Sequence, residues 1–136
     1  MSPGVGFVLF LIITLGLLGA VVLTGFRGRL VSHLSFVGAA VVSLGVTIYW
    51  AEQLGELYDL EASGWIYPFH LWCAKITVVA YLLPVATGLL TLRNIEKKPI
   101  HRFAAFAVLG LTVLTAVTGT WMLSASEPVE QVASER

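Results

Sequence analysis

Four long apolar stretches separated by short polar runs organise this chain of 136 residues. They cover about residues 5–26, 30–50, 67–92 and 100–123. A hydrocarbon layer ~30 Å thick needs roughly 20 residues of α-helix at 1.5 Å each, and every stretch is long enough. The pattern predicts an all-α membrane protein, a four-transmembrane-helix up-down bundle. Its connections are short, so sequential helices become antiparallel neighbours. Pro84 falls inside the third stretch, which is read as one helix. Residues 124–136 are read as a polar C-terminal tail. Between the second and third stretches, Leu54, Leu57, Tyr58 and Leu60 alternate with acids at roughly helical spacing. That spacing predicts an amphipathic extension of the second helix along the membrane surface. Met1-Ser2-Pro3-Gly4 carries no Lys or Arg, so the first stretch reads as a retained span and not as a cleaved signal.

Composition agrees with this and narrows the function. Hydrophobic residues make up 57% of the chain and charged residues 12%, about half the charged share of a soluble domain. A formal net charge of zero gives nucleic acid nothing to bind. The single Cys73 excludes an internal disulfide. The chain has no Cys-x-x-Cys-His, no His-Glu-x-x-His, no phosphate-binding loop and no nucleophile–base spacing. Catalysis therefore has no support, and the chain is expected to be at most an electron-transfer subunit.

The charges are segregated. Arg27, Arg29, Arg93, Lys97, Lys98 and Arg102 fall at one end of the spans, with Glu96 as the exception. Glu52, Glu56, Asp59, Glu61, Glu127, Glu130 and Glu135 fall at the other. Short Lys/Arg-rich loops stay cytoplasmic. Both termini are then outside, as expected of a multi-pass protein of a bacterial inner membrane.

Three histidines carry the candidate chemistry. Intramembrane ionisable groups are costly and usually face the bundle interior. His33 opens the second span and His101 the fourth, at similar depth. If those spans pack side by side, a haem b can sit between them with both imidazoles on its iron. Thr112, on the inward stripe of the fourth span with His101, is a candidate to line that pocket. The competing explanation is a pair of helix-end histidines at the headgroups, with no cofactor. His70 and Met122, both near the outer end, form a second candidate pair for haem iron or copper, and His70 with Tyr67 is a candidate quinol contact; the competing and expected role of His70 is a hydrogen bond within the bundle. Lys75 is expected to pair with Glu52.

Small and hydroxyl residues line the inward faces: Ala105, Val108, Thr115 and Gly119 on the fourth span, Ala74, Thr77, Tyr81 and Gly88 on the third, and Gly16, Ala20 and Thr24 on the first. Such stripes suit close helix packing, and they also leave room for a flat cofactor. The chain hints at a repeated hairpin, with chance similarity between two membrane hairpins as the rival explanation. Val22-Leu23-Thr24-Gly25, a basic turn and His33 are matched by Val85-Ala86-Thr87-Gly88, a basic loop and His101. Trp50, Trp65, Trp72 and Trp121 all fall on the outer half. An aromatic belt explains them in part. Their one-sidedness suggests a docked partner subunit around Trp50, Leu54, Leu57 and Trp65.

Two segments, Arg29-Leu30-Val31-Ser32-His33 and Lys98-Pro99-Ile100-His101-Arg102, lead from a basic turn into a helix-opening histidine. With Pro68-Phe69-His70-Leu71-Trp72-Cys73-Ala74-Lys75 and Thr118-Gly119-Thr120-Trp121-Met122-Leu123, they make the whole chain resemble two groups. These are the small four-helix membrane b-type cytochromes and the four-helix histidine-bearing membrane proteins of cytochrome oxidase biogenesis. The resemblance implies a haem-bearing subunit of a respiratory complex. Two-haem members need four ligands and this chain has three histidines, so it supports one bis-histidine haem. The alternatives are a cofactor-free assembly or scaffold subunit and, more distantly, a quinone-interacting subunit.

The charge pattern gives a test of orientation. A topology reporter fused after Arg136 should be active outside the cytoplasm, and one inserted at Lys97 active inside. The opposite activities would reverse the orientation.

Overall fold

The computed structural model describes residues 1–129, and residues 130–136 of the expected polar tail lie outside the described residues. Four helices are long and apolar enough to cross a membrane. The chain divides into two compact units, Met1–Tyr58 and a second that begins at Asp59.

The first unit is a helical hairpin of α1 (Pro3–Phe26) and α2 (Leu30–Gly55). Pro3 stands in the first turn of α1, where its missing N–H would have no helical partner. The turn is Arg27-Gly28-Arg29. Gly28 has φ +66°, a left-handed conformation that a Cβ disfavours. Facing positions run in opposite directions along the two helices: Gly6 meets Trp50, Thr14 meets Ser43 and Thr47, and Gly25 meets His33.

The second unit opens at Asp59, the last residue of the two-residue strand β1 (Tyr58–Asp59), which pairs with β2 (Glu127–Pro128). A 3-10 turn (Leu60–Ser63) and Gly64, at φ +69°, lead into α3 (Ile66–Ala80). After Tyr81 comes α4 (Leu82–Arg93), a 3-10 turn (Ile95–Lys97), and α5 (Lys98–Ser124). α5 runs along both α3 and α4.

Two sequence expectations need correction. The third span is not one uninterrupted helix: α3 stops at Ala80 and α4 resumes at Leu82. Pro84 has no N–H for the carbonyl of Ala80, and its ring crowds that carbonyl, so the break falls at the next residue. The amphipathic extension after Trp50 is also shorter than the alternation implied. α2 continues to Gly55, but Tyr58 is in a strand and Leu60 in a 3-10 turn.

Within each hairpin the seam is made of hydroxyls and small groups. Thr14, Ser43, Thr47, Thr77, Thr112 and Thr118 are buried, whereas Leu, Ile, Val and Phe side chains dominate the exposed surface. This is the distribution a lipid solvent selects. Lipid tails satisfy apolar side chains as well as a neighbouring helix does, so association rests on close packing and interhelical hydrogen bonds. Thr14 Oγ1 bonds Ser43 Oγ at 2.7 Å and Thr47 Oγ1 at 2.9 Å. Thr77 Oγ1 bonds Thr115 Oγ1 at 2.8 Å, and Tyr81 Oη bonds Thr112 Oγ1 at 2.8 Å.

The two hairpins are built alike. A position on α1 corresponds to one 63 residues later: Thr14 to Thr77, Gly25 to Gly88. A position on α2 corresponds to one 68 residues later: His33 to His101, Thr47 to Thr115, Leu54 to Met122. The bond Thr14–Thr47 thereby reappears as Thr77–Thr115. The buried pair Ala40 and Leu54 reappears as Val108 and Met122. The repeat glimpsed in the sequence extends to individual hydrogen bonds. The five-residue difference is the longer loop of the second hairpin.

Removing these hydroxyls should weaken each hairpin comparably. Thr14→Val and Thr77→Val should each cost about 0.5–1.5 kcal/mol, the range of intramembrane hydrogen bonds. Reversible unfolding in mixed micelles measures this. A cost near zero at both positions would mean that packing alone holds the seams.

Candidate functional site

Each of the three histidines docks on a glycine of the facing helix in its own hairpin. A Cβ built on Gly25 would lie 3.3 Å from both Cε1 and Nδ1 of His33. On Gly88 it would lie 3.3 and 3.4 Å from the same atoms of His101. On Gly119 it would lie 2.8 Å from Cε1 of His70 and 3.3 Å from each ring nitrogen. The missing side chain of the glycine is the space that the imidazole edge fills.

The residue before each glycine is threonine: Thr24, Thr87 and Thr118. Each donates its hydroxyl back to the carbonyl four residues earlier: Thr24 to Ala20 at 2.7 Å, Thr87 to Leu83 at 2.7 Å, Thr118 to Leu114 at 2.9 Å. Weaker second bonds reach the carbonyls three residues earlier, on Val21, Pro84 and Thr115. Each hydroxyl proton has a carbonyl of its own helix to bond, which leaves the oxygen able to accept from a ring N–H. His101 Nδ1 lies 3.3 Å from Thr87 Oγ1, and His70 Nδ1 lies 3.0 Å from Thr118 Oγ1. His33 Nδ1 lies 3.0 Å from the Val21 carbonyl, which only accepts. At His33 the carbonyl partner requires the proton on Nδ1, and at His70 and His101 the threonine oxygen is placed to accept the same bond from Nδ1. A neutral ring then has its lone pair on Nε2.

The joints differ in one respect. At Gly25 and Gly88 no atom of the histidine other than Cε1 and Nδ1 comes within 4 Å of the built Cβ, so Nε2 is turned away from the glycine. At Gly119, Nε2 lies down on the glycine too. His33 and His101 thus form a matched pair in orientation, and His70 is set differently.

A fourth ring-on-glycine contact completes the repeat in altered form. Gly6 faces Trp50, and a Cβ there would come within 2.5–2.8 Å of the indole. Residue correspondence puts Phe7 where the second hairpin has His70, and Trp50 where it has Thr118.

The other sequence candidates are placed as follows. Thr112 is buried and bonded to Tyr81 and to the Val108 carbonyl. It stands about 17 Å along α5 from His101, at 1.5 Å per residue, and so does not line the histidine's immediate surroundings. Met122 is buried on α5 one turn beyond Thr118. Among the described residues no cluster of three or more His, Cys, Asp or Glu side chains is placed to hold a metal ion. The partner seen for Lys75 is Trp72, with Nζ 5.9 Å from the ring centroid, a cation–π distance. Leu54 does not present an outward docking surface, because it is buried near Gly4, and Trp50 is committed to Gly6. Gly16 also faces outward with open space around it, so the packing face of α1 carries Gly6, Thr14 and Gly25 instead.

The sequence reading missed the joint itself. The chain contains three Thr-Gly dipeptides and three histidines, and the fold pairs them one to one. The dipeptides at Thr24 and Thr87 were visible within the repeat, but Thr118-Gly119 follows its histidine in the chain and escapes a motif read in one direction. Comparison with family models, characterised proteins and solved structures finds no match to this chain.

Glycine substitutions test the joints directly. Gly6→Ala and Gly119→Ala force the nearest ring to move and should each cost about 1–3 kcal/mol, as overpacking does. Gly16→Ala and Gly110→Ala meet open space and should be neutral or slightly stabilising. Chemical denaturation in detergent would reveal the difference, and equal effects at all four sites would contradict the assigned contacts.

Proposed function

We propose that this chain is an integral membrane haem b protein with His33 and His101 as its iron ligands, serving in electron transfer or as the haem-bearing subunit of a respiratory complex. The observation behind this reading is the matched state of the two imidazoles. Each places Nδ1 within hydrogen-bond distance of an oxygen of its own hairpin and turns Nε2 away from the glycine it rests on. A histidine that ligates iron through Nε2 needs its proton on Nδ1, and the hydrogen bond at the far nitrogen fixes its ring and raises its basicity. Bound haem supplies one-electron exchange between ferrous and ferric iron. The chain's own residues bind and orient: Gly25 and Gly88 admit the rings, while Val21 and Thr87 hold Nδ1–H. The segregation of Lys and Arg supports an inner-membrane location with both termini outside.

A second reading, a cofactor-free assembly or scaffold subunit, is favoured by the same joints seen as structural ties. A ring that fills a glycine notch and donates one hydrogen bond links two helices without any iron. Docking to a partner subunit would then use exposed groups such as Leu57 and Trp65.

A visible spectrum of the full chain, purified after haem-replete expression, separates the two. Haem ligation predicts a sharp Soret band and the reduced α band of a six-coordinate b haem. His33→Ala and His101→Ala should each abolish the low-spin spectrum, while His70→Ala should leave it largely intact. A colourless wild-type protein would favour the scaffold.

A further inference from the structure

The second hairpin closes in a longer loop than the first, and that loop builds a cavity. Its 3-10 turn, Ile95–Lys97, packs on both α4 and α5. Hydrogen bonds fix it. Asn94 N–H donates to the Leu90 carbonyl at 2.9 Å and Lys97 N–H to the Asn94 carbonyl at 3.1 Å, while Glu96 N–H donates to Asn94 Oδ1 at 3.0 Å. An open concavity of about 540 Å³ is lined by Ile95 and Glu96 of this turn and by Lys98, Pro99 and Arg102 of α5. Lys98 and Arg102 stand four residues apart, so they share one face of the helix. Two cations and one carboxylate leave the lining with a net charge of +1.

An exposed apolar strip continues from these residues along α5. Phe103 and Phe106 follow Pro99 and Arg102 by one turn on the same face, and they are 77% and 49% exposed. Ile95, in the wall of the concavity, is 71% exposed. The helix that carries the strip is long and apolar enough to cross a membrane. Its phenylalanines are then placed for hydrocarbon, while Lys98 and Arg102 stand at the end of the span, where long cationic side chains reach the headgroups. Cations at a span's end also set its orientation, but that role needs neither a concavity nor an ordered loop beside them. A free inorganic anion would use the cations and leave the apolar strip uncovered. We propose that this concavity binds the headgroup of an anionic phospholipid with a single negative charge, its phosphodiester oxygens held by Lys98 and Arg102 and an acyl chain lying along Phe103 and Phe106.

Titration of phospholipids onto the delipidated full chain in neutral detergent, read by native mass spectrometry, tests this. The first equivalent of phosphatidylglycerol should bind roughly tenfold more tightly than phosphatidylcholine, from about fivefold per surface cation offset in part by Glu96. The double variant Lys98→Gln, Arg102→Gln should lose that preference. The double variant Arg27→Gln, Arg29→Gln removes the same charge from the turn of the other hairpin and should keep it. Inorganic phosphate at millimolar concentration should not displace the lipid. Equal affinity of the wild-type chain for the two lipids, or equal loss of preference in both double variants, would overturn the site. Displacement by inorganic phosphate would overturn the lipid as its occupant. The wild-type comparison needs no variant, so it can overturn the site even if a variant fails to fold.

Discussion

The structure depends on one recurring contact, an imidazole edge seated in the notch of a glycine with its Nδ1 within hydrogen-bond distance of an oxygen of the same facing helix. In lipid this contact answers two demands at once. A histidine side chain in hydrocarbon must satisfy its N–H or pay several kcal/mol, on the order of the cost of any bare polar group there. Two helices without a hydrophobic drive between them need close approach and polar ties. The glycine supplies the approach and the threonine before it helps fix the proton. The threonine can do so because its own proton has a carbonyl of its helix to bond.

The contact recurs because the two hairpins are built alike. Each hairpin places a hydroxyl pair in mid-seam and a His–Gly joint at its turn end. At the other end the hairpins have diverged. One holds Trp50 on Gly6, large ring on the second helix and notch on the first. The other holds His70 on Gly119, with the roles of the helices exchanged. The turn-end joints keep a common ring orientation, with Nε2 turned from the glycine, and the His70 joint does not. That contrast sets His70 apart from the pair His33 and His101.

Much of the fold was legible in the sequence because membrane spans are set by length and apolarity alone. The inward stripes of the third and fourth spans were legible for the same reason: His70, Thr77, Tyr81, Val108, Thr112 and Met122 recur at helical spacing and are buried or half-buried. The first span was misread because glycine and alanine recur on more than one of its faces, and only contact with α2 selects Gly6, Thr14 and Gly25. The break at Tyr81 followed from Pro84, but its place depended on which carbonyl the proline leaves bare. Leu54 looked like part of a surface helix because its neighbours are acidic, yet it closes the end of the first hairpin. The joints were hidden because they pair residues across a turn in two cases and across two connections in the third.

The central claim is the shared tautomer of the three histidines, and nitrogen-15 solid-state NMR of histidine-labelled protein in bilayers reads it directly. The account predicts that at neutral pH His33, His70 and His101 each show a protonated Nδ1 and an Nε2 without a proton. Single substitutions of each histidine would assign the signals. A proton on Nε2, or rings exchanging freely between tautomers as an exposed histidine does, would contradict it.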